Sequence, residues 1–245
     1  MRKTSRKLWA LILTVPAAIL LAAVVGVALA YPSVAAAACP GCYGLAELEE
    51  GVYTERGLSD PQRSQVRQVI QRAHELVADF YGSQESSPSL LVCLTDACYS
   101  RIGGKKERGI AILNRSVMLS PRGVDAVIAS HEMSHVELHD RLTSAADLPQ
   151  WFDEGLAVVV SNDARYLAPE SAADRCLIAP AEPLPGTLEE WLSAASKDAG
   201  TYAKSACQVS RWLRENGGRA GLLSLVERLN AGEHFTSIVK PAWGV

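Results

Sequence analysis

Residues 127–156 read VIASHEMSHVELHDRLTSAADLPQWFDEGL, and this stretch decides which fold the chain is expected to have. Residues 131–135 form an HExxH sequence inside a predicted helix. His131 and His135 are one helical turn apart, so both imidazoles point to the same side of the helix. Two imidazoles placed in this way can share one Zn²⁺ at about 2.0–2.1 Å. Glu132 lies one step round the helix, where it can act as a general base toward water.

A third metal ligand is expected outside this motif, because a catalytic zinc normally has three protein ligands. Glu154 is the candidate, within the sequence QWFDEGLA of residues 150–157. Eighteen residues separate it from His135. That separation allows one helix to end, a turn to form near residues 143–149, and a second helix to bring Glu154 back. The sequence therefore predicts a zinc site made of His131, His135 and Glu154.

An HExxH sequence, eighteen residues and a Glu in a W-F-x-E-G-x-A context together resemble the gluzincin metallopeptidases. The spacing is that of the aminopeptidase N family, and the compact domain is similar to the bacterial peptidase MA-like proteins. The resemblance covers about residues 60–215 and is specific only over about residues 125–160. It implies that the three predicted ligands bind one zinc ion and that Glu132 is the catalytic base.

The same resemblance implies a further catalytic residue and a substrate-binding strand. Aminopeptidase N relatives have a Tyr that stabilises the tetrahedral oxyanion, in a Y-x-K-small-small setting, and residues 202–206 read YAKSA. Tyr202 is therefore expected to donate to the oxyanion. Gluzincins also have a strand, antiparallel to bound substrate, just ahead of the HExxH helix, and residues 110–119 occupy that place. No G-x-M-E-N-like sequence precedes the motif, which favours an endopeptidase or a narrow processing enzyme over an exopeptidase.

Two polar residues close to the predicted ligands have more than one interpretation. His139 follows His135 by a further helical turn, but the HExxHxxGxxH spacing that uses a third histidine is absent. His139 is therefore expected at the surface or behind the ligands. Asp153 precedes Glu154 and could either orient a histidine or be a charge on the helix surface.

The wider hydrophobic pattern predicts an α+β, helix-rich domain with a small antiparallel or mixed sheet, and the resemblance implies a zincin-like domain over residues 60–245. Residues 89–95 are predicted to be a buried strand, and residues 109–120 one strand or a hairpin. Capping and hydrophobic spacing predict helices at residues 60–81, 121–142, 149–162, 187–195, 202–216 and 220–230.

Residues 1–38 are predicted to be a targeting segment. Residues 1–7 contain four cations, and residues 8–30 contain no charge. This uncharged segment is long enough for a single transmembrane helix, which would follow a short basic segment in the cytoplasm. A cleaved signal peptide is the alternative, because the three alanines before Cys39 are an acceptable cleavage site, and Cys39 could also be lipidated. Each interpretation places residues 39–245 outside the cytoplasm, either membrane-anchored or secreted. Residues 39–59 are predicted to be a linker.

Six cysteines follow the apolar segment, an even count that is typical of an exported, disulfide-bonded chain. Closeness in sequence favours a bond between Cys93 and Cys98, and a bond between Cys176 and Cys207 would tie the C-terminal region together. The CPGC sequence of residues 39–42 has the spacing of a redox-active motif, although no βαβ pattern surrounds it.

The charge balance narrows the classes of partner. The chain has 245 residues with 24 basic and 27 acidic side chains, of which 20 and 27 lie in residues 39–245, a net charge of −7 there. An acidic domain argues against nucleic acid as a partner. We expect a zinc-dependent metallopeptidase acting on a peptide or protein substrate. The alternatives are a catalytically inactive zincin-like domain that binds a cell-envelope partner, and an envelope redox protein that uses the CPGC sequence.

Overall fold

The computed structural model describes residue 26 and residues 28–143 and 146–240. Most of the predicted transmembrane segment, residues 8–30, lies outside these described residues. Among the residues that are described, no helix is both long enough and apolar enough to cross a bilayer.

A five-stranded mixed sheet forms one layer of the fold. Strands β2, β3 and β5 run parallel in its centre, and β1 and β4 pair antiparallel at the two edges. The sheet is therefore mixed, and residues 109–120 form a hairpin and not one strand. The spatial order is β1-β2-β3-β5-β4, with β1 Leu45–Glu49, β2 Val52–Glu55, β3 Ser89–Val92, β4 Gly109–Ile112 and β5 Ser116–Leu119.

Residues 39–59, which the sequence predicts to be a linker, contain a 3₁₀ turn at Pro40–Tyr43 and the β1–β2 hairpin. Leu45 and Val52 are buried, at 1% and 3% exposure, so the hairpin is part of the packed sheet. Its strands have five and four residues and contain several acidic side chains, which gives only a weak hydrophobic alternation. The sheet thus begins ahead of residue 60.

Helices cover the sheet and form the rest of the molecule. Their bounds are α1 Pro32–Ala38, α2 Asp60–Tyr81, α3 Asp96–Arg101, α4 Ala126–Arg141, α5 Gln150–Val160, α6 Leu188–Lys197, α7 Thr201–Glu215, α8 Arg219–Asn230 and α9 Phe235–Ile238. Helix α2 confirms its prediction at both ends. Ser59 and Gln62 form a capping box at its start, and Gly82 ends it in the left-handed conformation.

Helix α4, which contains the HExxH sequence, begins later than predicted. Pro121 lies in a turn, and the helix starts at Ala126 with the Asp125 carboxylate accepting from the amide of Val127 at 2.8 Å. The turn is held against the preceding loop, because Gly123 lies so close to Arg108 that a Cβ at residue 123 would be 1.9 Å from the Arg108 carbonyl oxygen. The Asp125 cap therefore sets the helix start in place of the proline.

Helix α5 is the centre of the main core. Trp151 and Phe152 are buried at 4% and 0% exposure, and the ring of Phe152 packs edge-on against Trp212 of α7. Gly155 allows α5 and α7 to approach closely, because a Cβ there would be 2.6 Å from the carbonyl oxygen of Ser205. The packing of α5 against α4 on one side and α7 on the other brings the predicted site residues together.

Three disulfides cross-link the described residues. They join Cys93 to Cys98 and Cys176 to Cys207, as the sequence favours, and Cys39 to Cys42 within the CPGC sequence. The bond at Cys176 attaches the irregular connection between α5 and α6 to helix α7.

Candidate metal centre

Three side-chain atoms converge between helices α4 and α5. Nε2 of His131 lies 3.3 Å from Nε2 of His135, and Oε2 of Glu154 lies 3.4 Å from Nε2 of His131 and 3.8 Å from Nε2 of His135. The side chains are only 10–14% exposed. A point equidistant from the three atoms is about 2.0 Å from each, which is the bond length of zinc to imidazole and carboxylate. These three residues could therefore hold a metal ion.

Asp153 fixes the orientation of His135 from behind. Its Oδ1 lies 2.7 Å from Nδ1 of His135, and its Oδ2 lies 2.8 Å from Nε2 of His139. Asp153 is 7% exposed and contacts His135, so of its two interpretations the structure favours the residue that orients a histidine over the charge on the helix surface. A carboxylate that accepts from Nδ1–H leaves the Nε2 lone pair of His135 directed at the site. His139 lies behind the ligands and is not one of them.

Buried charge links these residues electrostatically. Burial lowers the pKa of the His135 imidazole, but the carboxylate of Asp153 outweighs burial and raises it to about 10. Burial in turn raises the pKa of Asp153, yet the charge and hydrogen bonds of the two histidines bring it well below its usual range. Without a metal, His135 and Asp153 therefore form an ion pair at neutral pH.

Glu132 extends from α4 toward the edge strand β4. Burial raises the pKa of its carboxyl group, partly offset by the neighbouring histidines. The strand approaches it closely at Gly109, where a Cβ would lie 2.7 Å from Cγ of Glu132. Only a residue without a side chain leaves space for Glu132 in this position.

Tyr202 reaches the site from the first turn of α7. Its ring centroid is 6.4 Å from that of His131, and its ring lies between Tyr166, stacked at 5.1 Å, and Trp191, edge-on at 4.9 Å. Burial raises the pKa of the Tyr202 hydroxyl, and the charge of Glu154 adds to this effect. The hydroxyl therefore stays protonated and can donate a hydrogen bond.

The structure thus brings all five predicted site residues into one region. A cleft of about 240 Å³ is lined by His131, Glu132 and Tyr202 among others. Three further residues of this cleft, Asp163, Arg165 and Tyr166, were not predicted. They lie in the irregular connection after α5, where no periodic pattern indicates which side chains face inward.

Glu137, in the same helix as the histidines, is another residue whose role was not predicted from the sequence. It is 0% exposed and accepts hydrogen bonds from the amides of Glu85 and Ser86 and from Arg141. It therefore attaches the loop after α2 to α4. Its pairing with Arg141 at i,i+4 is the one signal in the sequence that could have indicated it.

A second group with metal-ligand chemistry, Glu55 with Cys93 and Cys98, does not make a comparable site. The two sulfur atoms are joined in a disulfide, and a disulfide lacks the thiolates that bind metals.

Comparisons of this chain with protein families, with curated proteins and with solved structures return no match.

Proposed function

We propose that the chain is a zinc-dependent metallopeptidase of the gluzincin type that hydrolyses peptide bonds outside the cytoplasm. The observation that carries this proposal is the triangle of donor atoms on His131, His135 and Glu154, with edges of 3.3–3.8 Å, beside the Glu132 carboxylate. Two imidazoles and one carboxylate are a donor set of catalytic zinc sites, in which a further coordination position stays open.

Zinc in this site would supply a Lewis acid that polarises the scissile carbonyl and lowers the pKa of water toward 7. Glu132 accepts the proton of the attacking water at its carboxylate and then donates it to the nitrogen of the leaving amine. Its raised pKa suits both steps, because the proton is held more firmly than by an ordinary carboxylate. The protonated hydroxyl of Tyr202 donates to the oxyanion that develops on the substrate.

The chain's location is part of the same proposal. Three disulfides suit an oxidising compartment, and the uncharged N-terminal segment suits a membrane anchor or a cleaved signal. The substrate is then a peptide or protein on the extracytoplasmic side. The absent G-x-M-E-N-like sequence favours cleavage inside a chain or narrow processing.

Metal content and cleavage, measured together, test the proposal. The full chain is exported to an oxidising compartment, purified in detergent and assayed for zinc by elemental analysis and for cleavage of a broad peptide mixture by mass spectrometry. We expect about one zinc per chain, lost in His135→Ala and Glu154→Ala.

The variant Glu132→Gln separates binding from catalysis. It is nearly isosteric and should retain zinc while losing turnover. Full activity in this variant would disprove the role of Glu132. A zinc-loaded wild-type chain that cleaves none of the peptides would instead favour the inactive zincin-like domain that binds an envelope partner.

A further inference from the structure

Two arginine residues line the cleft beside the metal centre, in addition to the residues of the proposed reaction. Arg108 lies at the end of the loop before β4, and Arg165 lies in the connection after α5. We infer that this cleft recognises a carboxylate of the substrate, within a few residues of the scissile bond. The inference rests on the proposed peptidase function and specifies its substrate class.

Arg165 is a cation held in a fixed position. Its Nε lies 2.8 Å from Oδ1 of Asp163, and its Nη2 also donates to this carboxylate, which is 3% exposed. The guanidinium lies over the ring of Tyr166, with Cζ 5.1 Å from the ring centroid. Its Nη1 has no hydrogen-bond partner in the part of the chain that the structure describes, so this amino group can donate to a ligand.

Arg108 is fixed through its main chain and not through its side chain. Its carbonyl oxygen accepts from the amide of Ser120 at 2.8 Å and from the Ser120 hydroxyl at 2.9 Å. The guanidinium is exposed and forms no hydrogen bond or ion pair with any described residue. All of its N–H donors are therefore available to a substrate.

The acidic groups of the cleft do not cancel this positive charge. Asp163 is engaged by Arg165, and Glu107 accepts from the Tyr99 hydroxyl at 3.1 Å and from the amide of Lys105 at 2.8 Å. Burial raises the pKa of Glu107, but these hydrogen bonds outweigh it and keep the carboxyl group ionised. Both carboxylates thus have hydrogen-bond partners within the protein, whereas Nη1 of Arg165 and the guanidinium of Arg108 have none among the described residues.

The third acid of the cleft, Glu132, belongs to the proposed reaction. The cleft therefore offers unpaired cationic donors within a domain of net charge −7. Guanidinium groups bind carboxylates through charge-assisted, often bidentate hydrogen bonds. An acidic side chain and the free C-terminus of a short peptide both provide this chemistry.

Matched peptides distinguish these two sources. Each peptide of a synthetic set is made with Glu or with Gln near its centre, and with a free or an amidated C-terminus. Cleavage rates are compared for the wild type and Arg108→Glu, with Lys106→Glu as a control that makes the same charge change outside the cleft lining. We expect carboxylate peptides to be cleaved about tenfold faster by the wild type and by the control, and this preference to be lost or reversed in Arg108→Glu.

A preference for Glu over Gln would identify the recognised carboxylate as a side chain, and a preference for the free over the amidated end would identify it as the C-terminus. Equal rates for all forms with the wild type, or an unchanged preference in Arg108→Glu, would overturn the inference while leaving the peptidase intact. Binding of the same peptides to zinc-loaded Glu132→Gln, measured by fluorescence anisotropy, provides a second readout. If the wild type cleaves nothing but the variant binds the carboxylate forms about tenfold more tightly, the peptidase is refuted and the carboxylate site is retained. If the wild type cleaves nothing and all forms bind equally, both are refuted.

Discussion

The substitution Gly109→Ala tests the position of the proposed base without touching any proposed ligand. A methyl group at residue 109 would lie 2.7 Å from Cγ of Glu132, 3.0 Å from Cγ2 of Ile128 and 3.1 Å from Oε1 of Glu132. Carbon atoms in contact are usually about 3.5–4.0 Å apart. Either the Glu132 side chain or strand β4 must therefore move by about 1 Å. Cγ is close to the helix main chain, so a simple rotation of the carboxylate does not remove the clash.

The size of the effect follows from that displacement. A shift of about 1 Å in a catalytic group can cost about a hundredfold in rate, so kcat/KM should fall by roughly this factor. Overpacking should also lower the free energy of unfolding by about 1–3 kcal/mol. Zinc content should stay the same, because the nearest neighbours of the new methyl group belong to Glu132 and Ile128 and not to the metal ligands.

The assay is the cleavage rate of the peptide that the wild type processes fastest, with zinc measured in the same samples. Gly41→Ala is the matched control, since a Cβ at Gly41 meets no atom within 4 Å. It should keep both zinc and activity. Activity of Gly109→Ala within threefold of the wild type would show that the close approach of β4 does not position Glu132, and a loss of zinc would show that the damage is not confined to the base.

Three further outcomes follow from the packing and electrostatics. Gly155→Ala should push α5 away from α7 and lower the free energy of unfolding by about 1–3 kcal/mol in urea titration. An unchanged free energy of unfolding would show that the two helices do not need this close contact. Replacing Cys176 and Cys207, 31 positions apart, by serine should cost about 3–4 kcal/mol in the same titration, and a cost near zero would contradict a stabilising cross-link. The pKa of His135 is raised and that of Asp153 is lowered by their pairing, so the pair should stabilise the metal-free protein fully between about pH 4 and pH 6.5. This stability should fade toward pH 10 in thermal unfolding with chelator present, and Asp153→Asn should lack the decline.

The triangle of donor atoms on His131, His135 and Glu154 could be predicted because it depends on two simple features of the sequence. The turn of an α-helix places His131 and His135 together, and a second helix is the natural way for Glu154 to return. The predicted start of α4 at Pro121 was wrong, because the sequence does not show that Gly123 packs against the main chain of Arg108. Capping by Asp125, four residues after Pro121, determines where the helix begins.

The surroundings of the triangle could not be predicted in the same way. Helix α5 is apolar on nearly every side, so its pattern does not indicate whether Asp153 faces α4 or solvent. That choice depends on the close packing of α7 at Gly155, which is a contact between residues about 50 positions apart. Arg165 is positioned by its ion pair with Asp163, and Tyr166 by stacking on Tyr202. Both lie in an irregular segment, where the sequence has no periodic pattern that could predict these contacts.

The environment of Glu132 supports the proposal of an enzyme more than that of a domain that only binds. Burial raises the pKa of this carboxyl group, which means that keeping it ionised in the cleft opposes folding. Gly109 adds a second cost, because glycine in a strand loses more conformational entropy than a residue with a side chain. A protein that used the cleft only for docking would gain stability by filling this space with apolar side chains. Both costs are explained if a carboxylate must reach the reacting water, since one lies at the proposed base Glu132 and the other at Gly109, which leaves space for it.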